Sequence, residues 1–193
     1  MPLPRYDLLK TSRYLNKNFV QTSRGCNHAC TFCAEHMMNG LRFRYRPIDD
    51  VLREIDSCEG NVISLNDADF FGSPGRAKKV MKALKGRNIR WQAGVNSKDA
   101  FDDELLEMAA GSGCYMLSIG LESISREALK TVHKYQNRPE NFEALIKKVQ
   151  SYGILFFGLF MFGFDHDEPS IFEPTIRFTL NSGLDLCAFS VLT

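Results

Sequence analysis

Two hydrophobic periods alternate along this chain. Short apolar runs are followed by longer runs whose apolar residues recur every three to four positions. Residues 18–23 (NFVQTS) read as a first strand. Ile48, Val51, Leu52 and Ile55 then fall at i, i+3, i+4 and i+7, one helix face beginning just after Pro47. Residues 61–66 (NVISLN) read as a second strand, 75–86 as a second helix ended by Gly86, and 89–95 (IRWQAGV) as a third strand. Residues 102–113 carry acids in the first turn and glycines at the end, which suits a helix. Residues 114–121 (CYMLSIGL) make a fourth strand, followed by a short helix from Ser125 and a longer one from Pro139. A fifth strand is expected at 154–163, a helix at 168–183 kinked at Pro174, and a sixth strand at 185–192.

Six such alternations imply an α/β domain with a parallel sheet and crossover helices. Strand runs that are nearly all apolar imply a sheet covered on both faces. Periodicity does not decide between an open sheet and a partial barrel. In both, ligands bind at the carboxyl ends of the strands. The polar, glycine-containing segments fall there: residues 24–40, 66–72, 96–98, 122–125 and 165–170. Thr193 follows the sixth strand directly, which reads as a piece of a longer protein.

Composition narrows the picture only a little. The chain has 193 residues, 44% hydrophobic and 24% charged, enough for one sizeable core. Lys+Arg 24 against Asp+Glu 23 leaves +1, which gives no reason to expect a nucleic-acid partner. The bases and aromatics of RFRYRP, residues 42–47, therefore read as a solvated edge. The most apolar run, 154–164 (ILFFGLFMFGF), is too short to span a membrane. The N-terminus has no secretory pattern, so a cytoplasmic, reducing setting is expected, where the six cysteines are thiols or metal ligands.

Residues 24–35 read RGCNHACTFCAE and place Cys26, Cys30 and Cys33 within eight residues. Three chemistries fit C-x3-C-x2-C. Thiolates can hold an iron–sulfur cluster, and three of them leave one of four irons open. Structural zinc could take the three thiolates with His36. Cys30 and Cys33 could form a dithiol redox pair, which leaves Cys26 unexplained. Cys58, Cys114 and Cys187 are scattered and read as core thiols. His28 and His36 read as hydrogen-bonding neighbours of the metal ligands.

The segment RGCNHACTFC resembles the cluster loop of the radical S-adenosylmethionine (SAM) enzymes. The resemblance continues through RYRPIDDVLREI, SLNDADFFG, LSIGLESISREALKTVHKYQN and GILFFGLFMFGFDHDEPSIF. It is nearest to the branch whose members often carry a cobalamin-binding domain upstream, and PRYDLLK resembles the segment that joins the two domains. The resemblance implies a partial (β/α)6 TIM-like barrel over residues 18–193, preceded by a linker-like segment 1–17. It implies that Cys26, Cys30 and Cys33 bind a 4Fe-4S cluster whose open iron takes SAM. It places Phe32 beside the adenine and Asn66 and Asp67 near the SAM amino group. It sets Glu122 near the amino or ribose groups and Lys134 near the carboxylate, with Asn96 as a weaker candidate. Gly158 and Gly163 fit an adenine wall or plain packing.

The implied activity is reductive cleavage of SAM to a 5′-deoxyadenosyl radical, in an enzyme of the cobalamin-dependent methyltransferase type acting on a small molecule or lipid. Cobalamin is thus an optional third cofactor, and a flavodoxin or ferredoxin is the implied electron donor. The alternatives are a tRNA methylthiotransferase and, from another class, a zinc-binding interaction module. The near-neutral charge weighs against the tRNA reading.

Overall fold

Six strands form one parallel sheet in the computed structural model, which describes residues 4–10, 13–14 and 17–192. They are β1 (Phe19–Val20), β4 (Val62–Leu65), β5 (Arg90–Val95), β6 (Cys114–Glu122), β7 (Leu155–Phe162) and β8 (Leu186–Val191). A second, two-stranded antiparallel sheet pairs β2 (Ser23–Arg24) with β3 (Arg44–Tyr45). The helices are α1 (Glu35–Asn39), α2 (Ile48–Asp56), α3 (Pro74–Leu84), α4 (Asp103–Gly111), α5 (Arg126–Thr131), α6 (Phe142–Ser151) and α7 (Phe172–Asn181). Part of the expected linker 1–17 lies outside the described residues. In the rest of it the Tyr6 hydroxyl sits 2.8 Å from both Glu54 Oε1 and the Phe19 carbonyl, tying the segment to the barrel edge.

The order β1-β4-β5-β6-β7-β8 settles the question that periodicity left open. Each strand lies beside its predecessor in the main sheet, with no reversal of order. Doubly wound sheets reverse; a singly wound parallel sheet keeps its helices on one face and curls toward a barrel. The expected partial barrel is the fold.

The two faces of the sheet differ, and this corrects the expectation of cover on both sides. Along β5, Trp91, Ala93 and Val95 are buried while Gln92 and Gly94 are half-buried. The same alternation sets Leu117, Ile119 and Leu121 against Ser118 and Gly120 on β6, and Phe156 and Phe160 against Leu159 on β7. The buried set packs into the main core with Val80, Met81 and Leu84 of α3, Leu105 and Leu106 of α4, and Phe142, Leu145, Ile146 and Val149 of α6. Trp91 is fully buried, and its indole N–H donates to the Ser112 carbonyl at 3.0 Å. The other face is concave and partly polar, with Gln92 bridging Ser64 (3.0 Å) and the Tyr115 hydroxyl (2.9 Å).

Three further expectations shift. The first strand, expected over 18–23, is split between two sheets. Thr22, fully buried, donates its N–H and hydroxyl to Asp67 instead of to a strand neighbour. Pro174 does not kink a helix: α7 starts at Phe172, so the proline occupies the first turn, where its missing N–H has no intrahelical acceptor to lose. The segment 42–47 is not simply solvated. Arg46 forms a buried ion pair with Glu54, and the Arg76 guanidinium lies 5.6 Å over the Tyr45 ring.

Candidate functional site

The loop bearing the cysteines leaves the carboxyl end of β1 and is closed at its base by the β2–β3 pair. Gly25 is required there. Its φ is +92°, and a Cβ would stand 2.2 Å from the Arg42 carbonyl oxygen. The Gly25 N–H donates to Glu35 Oε1 at 2.9 Å, which ties the loop to α1. On the other side Asp67 accepts from the Thr22 N–H (2.6 Å), the Thr22 hydroxyl (2.6 Å) and the Ser23 hydroxyl (2.7 Å). The loop is thus fixed to the end of β4 before the first cysteine is reached.

Cys26, Cys30 and Cys33 then border a cavity of about 220 Å³ over the carboxyl ends of β4 to β7. Its wall includes Gly94, Ser118, Gly120 and Leu159 of the concave face, with Asn96 and Glu122 at the strand ends. Burial pushes the Cys26 thiol up to about 11 and raises Cys30 as well, with the Lys134 ammonium acting in the opposite sense on Cys30. Among the described residues no three His, Cys, Asp or Glu side chains gather as a single-ion site needs. His36 does not complete a Cys3His set, and its Nδ1 is buried without a partner. A site for one zinc would draw all its ligands to about 2.0–2.3 Å of one point. A multi-iron cluster spreads them, one thiolate to each iron.

Glu122 and Lys134 meet across this cavity. Lys134 Nζ donates to Glu122 Oε1 at 2.8 Å and stands 5.8 Å from the centre of the Phe32 ring. Phe32 packs edge-on against Phe164 at 6.0 Å. Glu122 has φ +63°, the left-handed region that a non-glycine residue adopts at a cost of about 1–3 kcal/mol. The β6–β7 register shifts at this point, between Gly120 and Glu122. Asn137 holds the bulge by donating to the Gly120 and Leu121 carbonyls, each at 2.8 Å. Gly120 makes the arrangement possible, because a Cβ there would lie 2.2 Å from Glu122 Oε1 and 3.1 Å from Lys134 Nζ.

The structure brings together seven of the nine expected site residues: Cys26, Cys30, Cys33, Phe32, Asn96, Glu122 and Lys134. It leaves out Asn66 and Asp67, a correction with a physical reason. The Asp67 carboxylate is spent on the cysteine-loop base, and Asn66 is exposed off the cavity wall. Asp69 takes the place on the wall. It is 3% exposed and accepts from the Asn96 side chain at 2.8 Å and from the backbone N–H groups of Asn96 and Gly72 at 3.1 and 3.0 Å. Burial raises its carboxyl pKa, and the Asn96 bonds oppose that rise. His28 Nε2 stands 3.6 Å from its Oδ2. The sequence signal for Asp69 was the acid pair two residues apart at the end of the second predicted strand. Reading only its first member missed the second. Gly158 and Gly163 do not reach the wall: a Cβ on Gly158 would press Leu184 at 3.1 Å, and Gly163 (φ +96°) makes a turn closed by Asp167. Cys114 is in the core as expected, while Cys187 is exposed on β8.

The donor set fits an iron–sulfur cluster with a zwitterionic neighbour. Three thiols, an acid–base pair and two glycines border the same cavity. Comparison with known proteins agrees. The Radical SAM superfamily model matches residues 20–179. Bacteriochlorophyllide d C-12(1)-methyltransferase of Chlorobaculum tepidum is 31% identical over 180 residues, 90% of this chain and 40% of that protein. Hopanoid C-2 methylase of Rhodopseudomonas palustris is 25% identical, over 99% of this chain and 38% of that protein. The chain therefore spans about two fifths of these relatives. Among solved structures, the radical S-adenosylmethionine methyltransferase TsrM of Kitasatospora setae, with cobalamin and a 4Fe-4S cluster bound, superposes with a TM-score of 0.80 at 21% identity. That match covers 90% of this chain and 36% of that one, and it shows the shared fold. With the family match running from the β1 strand into α7 and over all three cysteines, the chain belongs to the radical SAM superfamily.

Proposed function

We propose that residues 18–193 form the SAM-cleaving core of a cobalamin-dependent radical methyltransferase acting on a small molecule or lipid, with residues 1–17 leading into it. The observation that carries this reading is the convergence of Cys26, Cys30 and Cys33 with the Glu122–Lys134 pair on one cavity at the carboxyl ends of the strands. The methyltransferase step and cobalamin are supported by the names of the relatives. A cytoplasmic, reducing setting is supported by six free thiols. No helix among the described residues is long and apolar enough to cross a membrane.

Cys26, Cys30 and Cys33 would hold the cluster. When bound, the cluster supplies one electron for cleavage of the SAM sulfonium. The chain's own residues orient and shield. Lys134 presents an ammonium to a carboxylate, and Glu122 accepts from amino or hydroxyl groups. Phe32 offers a ring face, itself held by Phe164. Asp69 and Asn96 fix their part of the wall through hydrogen bonds between themselves. Leu159, Gly94 and Gly120 give the cavity wall an apolar part, with Ser118 its one hydroxyl, which limits the groups that could quench a reactive carbon species.

Anaerobic reconstitution with iron and sulfide tests this. The expected product is a brown protein holding about four irons per chain. After reduction it releases methionine and 5′-deoxyadenosine from SAM. A colourless protein with one tight zinc, or cleavage retained in Cys30→Ala, contradicts the reading.

A further inference from the structure

We propose that Asn137 is a positioning residue for SAM: its side chain fixes the turn that aims Glu122 into the cavity and so sets how tightly the Glu122–Lys134 pair holds the cofactor. This inference rests on the reading of that cavity as the SAM site.

The turn needs holding. Leu121 is an extra residue between the Gly120–Leu159 and Glu122–Phe160 pairings of β6 with β7. Its side chain is fully buried in the main core, while its neighbour Glu122 lines the cavity. The Ser123 N–H donates to the Leu121 carbonyl at 2.8 Å and closes a three-residue turn around Glu122. The central φ of +63° has the sign of the rare, strained form of such a turn. A strained backbone persists only where its surroundings over-determine it.

Asn137 supplies the restraint from outside β6. It is buried, and its Nδ2 donates to both carbonyls beside the turn, Gly120 and Leu121, each at 2.8 Å. Its Oδ1 accepts from the buried Ser97 hydroxyl at 2.6 Å, just past the end of β5. Carbonyls only accept, so the amide nitrogen must face β6 and the oxygen is left to Ser97. Aspartate has the same shape and lacks the donors. Without them, two buried carbonyls at the turn lose a partner. The Asn137 backbone N–H donates to the Lys134 carbonyl at 3.1 Å, so one residue reaches both members of the pair. That backbone bond survives a change of side chain, and a variant at position 137 therefore reads the Glu122 arm alone. Asn137 does not line the cavity itself. Its side chain acts on a ligand there only through Glu122.

The test is a double-mutant cycle in SAM affinity, measured by calorimetry on the reconstituted full chain. The proteins are the native chain, N137A, E122Q and N137A/E122Q, with iron content and thermal melts recorded for each. The expected result is SAM binding weaker by about tenfold or more in N137A, with iron content unchanged. In the E122Q background the same substitution should change affinity by less than about twofold, because its effect runs through Glu122. Where N137A does not fold, S97A decides: it removes only the outer tie and should weaken SAM binding by about threefold, again only when Glu122 is present. Native affinity in N137A, or in S97A where N137A does not fold, overturns the proposal. An equal loss in both backgrounds also overturns it, since the residue then only loosens the fold. Loss of iron in N137A does the same, by assigning Asn137 to the cysteine loop. These three results leave the reading of the cavity standing. No SAM binding by the native chain overturns that reading and this inference with it.

Discussion

The two faces of one sheet do opposite work. On the helix-covered face, Trp91, Leu117, Ile119, Phe156 and Phe160 are buried and contribute apolar area. On the concave face the same strands present Gly94, Ser118, Gly120 and Leu159 to a cavity. The side-chain period of two carries both assignments on one stretch of chain. Large residues fill the covered face and small ones keep the other open. The carboxyl ends concentrate the costs that such an opening brings: a left-handed Glu122, a buried Asp69 and two raised thiols. Strain and desolvation at the mouth of a barrel are what a functional site is expected to show.

Substitutions on the two faces should separate stability from binding. The largest loss of stability is expected from Trp91→Ala, about 3–5 kcal/mol in urea unfolding, because a fully buried ring and its bond to Ser112 are removed. Asp67→Ala should cost about 3 kcal/mol, since the Thr22 N–H and two hydroxyls lose their acceptor in a buried setting. It should also lower iron retention, because those bonds anchor the cysteine loop. A normal iron content in Asp67→Ala would show that the loop is held by other means. Gly120→Ala should cost about 1–3 kcal/mol and weaken SAM binding by at least tenfold, as the new Cβ displaces Glu122 from Lys134. Unchanged SAM affinity in calorimetry would remove the Glu122–Lys134 pair from the site.

Alkaline pH sharpens the same contrast. Burial raises Cys26 and Cys58 to about 11 and raises Cys114 as well, from an ordinary thiol value of 9.0. A pKa raised in the folded state gives stability that is present below the unfolded value and lost as pH climbs through the folded one. The metal-free chain should therefore weaken between about pH 9 and 11, seen as a falling urea midpoint. Loading the cluster should remove the share of Cys26 and leave that of Cys58 and Cys114 on the covered side. The smallest effect is expected at the outer helix surface. Lys148→Ala breaks an exposed pair with Asp103 and should change stability by less than about 0.5 kcal/mol.

Much of this contrast was legible in the sequence. Five strands and the helix faces followed from period two and period 3.6, because those patterns report burial directly. Cys26, Cys30 and Cys33 were legible because three thiols in eight residues have few other uses. Tertiary bonds hid the rest. Nothing in NFVQTS announces that Thr22 will turn toward an aspartate 45 residues away. The choice between Asp67 and Asp69 depends on which one reaches the loop base and which one Asn96 claims. One-sided cover of the sheet was not legible either, since glycine and serine inside an apolar strand count as apolar punctuation until a cavity is seen beside them.

Electron paramagnetic resonance of the reduced, reconstituted chain, recorded with and without SAM, tests the central claim most directly: three thiolates on the loop beside the concave face leave one iron for the cofactor. The expected result is a 4Fe-4S signal that shifts when SAM is added to the native chain and is absent from Cys30→Ala. A signal that SAM leaves unmoved, or no iron signal from a protein that holds zinc instead, would contradict it.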